Sequence, residues 1–137
     1  MKKNYEKEAS RWLIQATDEF NDADELRKMH KFYLALFHFQ QAAEKALKAY
    51  LYERLKSREV FYTHSIADLS KMAIEIDPEF KTINPAKKLD QYYIPTRYPN
   101  GLPGGIPSRF FDDPKEAEDA MLLAKSIISL VKTKTSF

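Results

Sequence analysis

Polar residues that can bind an anion recur along one alanine-rich segment, residues 37–51. Spaced at steps of three and four along it are His38, Gln41, Lys45 and Lys48, with Glu44 beside them. Residues three or four apart share one face of an α-helix, and amide, ammonium and imidazole groups donate hydrogen bonds to phosphate oxygens. The competing interpretation is a helix face in contact with solvent, which we favour for Lys48 and leave open for Gln41 and Lys45.

Two more groups suited to phosphate binding stand outside this segment. Arg97 lies between Pro95 and Pro99, whose rings restrict the backbone on both sides. A guanidinium on a stiffened loop loses less entropy when it grips an anion through two hydrogen bonds. It can equally hold the loop in place by donating to carbonyl oxygens. His64 precedes a predicted helix, where its ring either caps the first turn or contacts a ligand.

The sequence excludes several kinds of chemistry. It has no cysteine, so disulfides, thiolate metal sites and cysteine nucleophiles are ruled out. The glycines between residues 101 and 105 lack the Lys-Ser/Thr pair of a phosphate-binding P-loop, and no serine stands in a Gly-x-Ser-x-Gly turn. The three histidines, His30, His38 and His64, lack the helical spacing of a zinc site. We therefore expect neither a metal nor a cofactor.

The composition predicts one soluble domain over residues 1–137, a length that can bury a hydrophobic core. A net charge of +2 is too small to predict nonspecific nucleic-acid binding. No apolar run is long enough to span a membrane, and the lysines at the amino terminus are not followed by the apolar segment of a signal peptide. We therefore expect a cytoplasmic protein without membrane contact.

Hydrophobic periodicity predicts helices and no strand. The predicted helices cover about residues 9–29, 32–56, a third from Ser65 to Pro78, a short one over 85–93 with Asn84 as its N-cap, and a last one from Asp113. Ser65 with Asp68 three residues later, and Asp113 before Pro114, are typical helix starts. Because the connections near residues 30 and 60 are short, the fold expected is an all-α, up-down antiparallel bundle of four main helices plus one short helix.

A long loop is predicted before the last helix, over residues 95–112. The surrounding stretch holds all three glycines and four of the seven prolines, and so many helix-breaking residues exclude a continuous helix. Structureless connections of this length are uncommon in compact domains and tend to be functional. The aromatic residues Tyr98, Phe110 and Phe111 predict that the loop packs on the body of the protein.

Four stretches of the chain, taken together, resemble the HEPN domain family, the higher eukaryotes and prokaryotes nucleotide-binding domain. They are FHFQQAAEKALKAYL, HSIADL, TRYP and EAEDAMLLAKSII, in that order. The similarity extends from EASRWLIQATDEF to Ile128, nearly the whole chain. It implies a small helical bundle that forms homodimers, that has a minimal nucleotidyltransferase as its partner, and that binds nucleotides or RNA.

The chain departs from one motif of that family. Many members are ribonuclease toxins with an Arg and a His separated by four to six residues near the last helix. Here neither Arg97 nor Arg109 is followed by a histidine. Arg58 and His64 have the required spacing but stand between the second and third predicted helices, so we interpret that match as coincidence.

Our preferred hypothesis is a noncatalytic HEPN-type module that dimerises and binds a nucleotide or another phosphate-bearing ligand. Around the binding groove we place Gln41, Lys45, His64, Arg97 and Tyr98. Tyr98 would stack on a base, while Lys45 and Arg97 supply positive charge. Two alternatives remain: a metal-independent ribonuclease toxin of a toxin-antitoxin pair, with His64 and Arg97 as candidate catalytic residues, and a noncatalytic dimeric scaffold.

Overall fold

A computed structural model describes the chain from residue 2 to residue 137, with side chains described from residue 4. Its α-helices are α1 (Lys2–Lys28), α2 (Phe32–Leu55), α3 (Ile66–Ile76), the single turn α4 (Pro107–Phe110) and α5 (Pro114–Lys134). Shorter-pitched 3-10 helices cover Arg58–Phe61, Pro78–Tyr92 and Pro99–Gly101. No strand occurs in this part of the chain. The all-α prediction is therefore confirmed.

Helix α2 is the centre of the bundle, because α1, α3 and α5 all contact it. Most of its apolar side chains are completely buried. Alanines occupy many of these positions, among them Ala42, Ala43 and Ala46, so neighbouring helices can approach closely. The wide apolar arc of the sequence thus corresponds to a helix that is covered on several sides.

The segment Pro78–Tyr92 differs from its prediction. The sequence predicts a short helix starting at Pro85, but the chain forms a longer 3-10 helix that starts after Asp77 and contains Pro85 in its interior. The physical reason is a repeat of three: Phe80, Ile83, Ala86, Leu89 and Tyr92 are all buried. A 3-10 helix has three residues per turn, so these side chains form one straight apolar stripe against the bundle.

The start of α3 is capped from two directions. The Ser65 hydroxyl accepts a hydrogen bond from the Asp68 amide (3.1 Å), as predicted. Asp68 does not complete the capping box, because its carboxylate instead contacts the Thr63 hydroxyl (3.4 Å). Asp90 of the 3-10 segment accepts from the amides of Ile66 (2.7 Å) and Ala67 (3.0 Å). It thereby fixes the segment immediately after residue 64.

Replacing Asp90 with alanine should lower the free energy of unfolding by about 1 to 2 kcal/mol, because two helix-terminal amides lose their acceptor. Replacing Asp68 with alanine removes only one long, exposed contact and should cost less than about 0.5 kcal/mol. Urea denaturation of both variants measures the difference. Equal losses would show that the cap from Asp90 does not stabilise α3.

The loop before α5 packs on the body through some of its residues and not others. Thr96, Pro107 and Phe111 are buried, and the Phe111 ring lies 5.9 Å from the Tyr92 ring. Tyr98 and Phe110 are exposed. The loop also contains α4, which the sequence reasoning missed. No helix of the described chain has the length and apolar character needed to cross a membrane.

Candidate anion-binding site

A buried carboxylate, Glu44 of α2, is the centre of a polar network. Its Oε2 accepts a hydrogen bond from Lys48 Nζ (2.9 Å) and lies 3.2 Å from His64 Nδ1. Its Oε1 accepts a longer bond from Gln40 Nε2 (3.4 Å). Since an unpaired charge is costly in a protein interior, Glu44 and Lys48 hold each other in place, and Glu44 in turn orients the His64 ring.

Lys48 is buried, so the interpretation that it faces solvent is wrong. Only 2% of the residue is exposed. Its Nζ lies 5.8 Å from the centre of the Trp12 ring of α1 and donates to the Phe61 carbonyl (3.4 Å). Trp12 and Phe61 stack on each other with ring centres 4.4 Å apart. Helix α1 and the turn after α2 therefore close over this end of the polar face.

A second carboxylate, Glu19 of α1, holds the other edge of that face. Its Oε1 accepts a hydrogen bond from Lys45 Nζ (2.6 Å), and its Oε2 lies 2.7 Å from His38 Nδ1. Burial by itself raises the pKa of Glu19, but the hydrogen bonds from His38 and Lys45 outweigh burial and leave the pKa below its ordinary value. Lys45 is thus partly neutralised by a carboxylate of its own chain.

The lowered pKa of Glu19 predicts a pH-dependent stability. The ionised carboxylate stabilises the fold at pH values above its ordinary pKa of 4.5, and this contribution is lost as the pH falls through the lower pKa of the folded state. In urea denaturation between pH 3 and pH 5.5, the stability lost in Glu19→Gln should be largest at pH 5.5 and shrink towards pH 3. The matched control, Asp18→Asn on the exposed side of α1, should show no such trend.

Two amides connect the two carboxylates. Gln41 Nε2 donates to Gln40 Oε1 (2.7 Å), and Gln40 Nε2 donates to the carbonyl of His64 (3.2 Å). Gln41 Oε1 also accepts a weak bond from Lys45 (3.5 Å). The amide and ammonium groups of this face are therefore arranged by one another before any ligand arrives.

Arg97 is held by three aromatic rings. Its Cζ lies 4.6 Å from the centre of the Tyr93 ring, 4.8 Å from Phe37 and 5.0 Å from Tyr98. Its Nε donates to the Tyr93 carbonyl (2.7 Å). Among the residues with described side chains, no carboxylate pairs with this exposed guanidinium. Its charge is therefore offset by π faces and not by an anion.

Tyr93 links Arg97 to His64. The His64 and Tyr93 rings are stacked, with centres 5.2 Å apart and planes 14° apart. Phe37, which also contacts Arg97, lies one helical turn before Gln41 on the same face of α2. The predicted residues His64, Arg97 and Tyr98 thus belong to one chain of contacts, and this chain borders the polar face that carries Gln41 and Lys45.

Two open depressions flank this arrangement. The first, about 300 Å³, is lined by Thr63, His64, Ser65, Asp90 and Tyr93. The second, about 400 Å³, lies between α1 and α2 and is lined by Glu8, Arg11, Trp12, Gln15 and Lys45. Over the described residues, no three His, Asp, Glu or Cys side chains come together in a way that could hold a metal ion.

The other arginines compared with the family motif are Arg58 and Arg109. The Arg58 guanidinium sits over the Phe61 ring, 5.5 Å from its centre, and is not paired with His64. Arg109 is exposed on α4.

Sequence reasoning missed four residues that position the site: Glu19, Phe37, Gln40 and Tyr93. Only Gln40 had a usable signal, its spacing of four from Glu44 on one helix. Glu19 stands among exposed acids of α1, and nothing local indicates that it faces Lys45. The aromatic partners of Arg97 come from α2 and from the end of the 3-10 segment, so their role depends on how these elements pack.

Comparison with known proteins agrees with the architecture. The family profile described as HEPN domain matches residues 9–134. The crystal structure of TT1696 from Thermus thermophilus superposes with a TM-score of 0.78 at 36% identity, covering 93% of this chain and 98% of the other. The crystal structure of ST0689, an archaeal HEPN homologue, gives 0.69 at 26% identity, with 92% and 96% covered. No curated protein matches the chain with significance.

Proposed function

Because the chain belongs to the HEPN domain family, we propose that it is a cytoplasmic, homodimeric nucleotide-binding module that acts with a minimal nucleotidyltransferase partner. The ligand is held through its phosphate by Arg97 and by the polar face of α2. The exposed guanidinium of Arg97, fixed by three rings and unpaired with any described carboxylate, is the single observation that carries this proposal. A fixed guanidinium can bind a phosphate through two parallel hydrogen bonds.

The other predicted residues support the ligand in different ways. Gln41 and Lys45 lie on the face next to Arg97 and can donate to phosphate or sugar oxygens, although Lys45 must share its charge with Glu19. Tyr98 is exposed at the edge of the Arg97 cluster and offers an aromatic face to a base.

Calorimetric titration of the purified protein with ATP and then with a short single-stranded RNA tests the proposal. Saturable binding of either ligand is expected. Absence of binding to both, combined with a stable complex with a nucleotidyltransferase in pull-downs, would instead support a noncatalytic dimeric scaffold.

A ribonuclease of a toxin-antitoxin pair is a second candidate, favoured by the contact between Glu44 and His64. A carboxylate that holds one ring nitrogen leaves the other nitrogen available for proton transfer, as general acid-base catalysis of phosphodiester cleavage requires. Incubation of the protein with RNA tests this activity. Cleavage that is lost in both His64→Ala and Arg97→Ala would establish the enzyme in place of the binding module.

A further inference from the structure

His64 is held in one orientation from two sides. Glu44 Oε2 lies 3.2 Å from its Nδ1, and its ring stacks on Tyr93. About half of the side chain (53%) is exposed, at the depression between the start of α3 and the 3-10 segment. Within the described chain, its Nε2 has no hydrogen-bond partner. This nitrogen is therefore the one that a ligand can reach.

The charged groups that face His64 are already paired or bonded. The group of this site that can take up a proton is therefore the His64 ring itself. From α2, Glu44 and Lys48 face it as a buried pair of opposite charge. From the 3-10 segment, the Asp90 carboxylate is occupied by amides at the start of α3, and Tyr93 presents its ring face. Arg97 keeps its charge at all pH values of interest. Histidine differs from these groups, because imidazoles gain or lose a proton between about pH 5 and pH 8.

Tyr93 also limits the distance between the two cationic groups. It contacts the His64 ring at 5.2 Å and the Arg97 guanidinium at 4.6 Å. Both distances are measured from the centre of the Tyr93 ring, so the His64 ring centre and Arg97 Cζ cannot lie farther apart than the two distances added together. One nucleotide can therefore contact both groups.

We propose that the site binds the phosphate of a nucleotide between Arg97 and the protonated Nε2 of His64, so that binding takes up a proton and affinity is controlled by pH. This inference rests on the proposed nucleotide-binding function and adds its regulation. While the His64 ring is protonated, both groups donate charge-assisted hydrogen bonds to the phosphate. When the ring is neutral only Arg97 does, because the remaining proton stays on Nδ1 beside Glu44 and Nε2 has none to donate.

The test uses adenosine 5′-methylphosphate, a phosphodiester whose single charge does not change between pH 5.5 and pH 8.5. Calorimetric titration of the wild-type protein should give a dissociation constant about tenfold higher at pH 8.5 than at pH 5.5, since a hydrogen bond to a charged group is worth roughly that factor. His64→Gln should bind with the weak, wild-type pH 8.5 affinity at both pH values.

His30→Gln is the matched control. His30 is exposed in the turn before α2, where its ring stacks on that of Phe32. This variant should keep the pH dependence of the wild type. A second measurement needs no variant: the binding enthalpy of the wild-type protein between pH 6 and pH 8, in two buffers with different ionisation enthalpies, should reveal net proton uptake.

The possible outcomes separate the two proposals. Binding of ATP or of the methyl ester with no pH dependence and no proton uptake overturns the role of His64 and leaves nucleotide binding intact. A pH dependence that persists in His64→Gln also overturns the role of His64. Binding of ATP without any binding of the methyl ester does the same, and both results leave nucleotide binding intact. Absence of binding to ATP, RNA and the methyl ester at every pH overturns nucleotide binding itself, and the pH control with it.

Discussion

Lys48→Met is expected to lower the free energy of unfolding by about 3 to 5 kcal/mol, because it leaves Glu44 as a buried charge without its partner. The side chains of Glu44 and Lys48 are only 4% and 2% exposed, and their charged atoms are 2.9 Å apart. Methionine fills a similar volume, so the expected loss arises from charge and not from a cavity. Urea denaturation at pH 7 measures it.

The matched control is Lys115→Met, which breaks a pair with the same spacing of four residues on a helix. Lys115 and Asp119 are largely exposed, so water screens the pair and its loss should change the stability little. The double variant Glu44→Leu with Lys48→Met should recover most of the stability, since it removes both buried charges. Similar small losses for Lys48→Met and Lys115→Met would contradict the burial of the network.

Arg97→Ala is expected to weaken nucleotide binding by about tenfold to a hundredfold, the usual cost of losing hydrogen bonds to a charged group. Arg97→Lys should recover little of this loss, because an ammonium group neither stacks between the rings of Phe37 and Tyr93 nor donates two parallel bonds. Calorimetric titration with ATP measures both variants.

The control for Arg97 is Arg109→Ala, which removes an exposed arginine of the same loop region from α4. It should bind ATP like the wild type. Circular dichroism should show that Arg97→Ala remains helical, because the side-chain contact with the backbone that it loses is a single hydrogen bond, from Nε to the Tyr93 carbonyl. Unchanged affinity in a folded Arg97→Ala protein would mean that Arg97 only fastens the loop.

Local signals in the sequence determined the helices and several of their ends. The Ser65 cap of α3, the end of α3 before Pro78 and the start of α5 after Asp113 are as predicted, because each depends on residues within one turn of the helix end. The 3-10 segment was also encoded locally, in its apolar repeat of three. Its start is predicted too late, at Pro85 instead of Pro78, because proline is typical of a first helical position.

Tertiary structure decided what the polar face of α2 contacts. Helical spacing placed Gln41, Lys45 and Lys48 on one side, but it carries no information on which neighbouring element covers that side. Trp12 buries Lys48, and Glu19 engages Lys45. Both partners belong to α1, distant in sequence and recognisable only after the two helices have packed.

The surroundings of Arg97 were decided in the same way. The flanking prolines showed that its backbone is restricted, which is a local property. Its contacts with Phe37 and, through Tyr93, with His64 require α2, the 3-10 segment and the loop to meet at one place. The sequence by itself therefore determined the helices and the residue types at the site. The distances between the site residues and their charge partners depend on long-range packing, which local propensity does not encode.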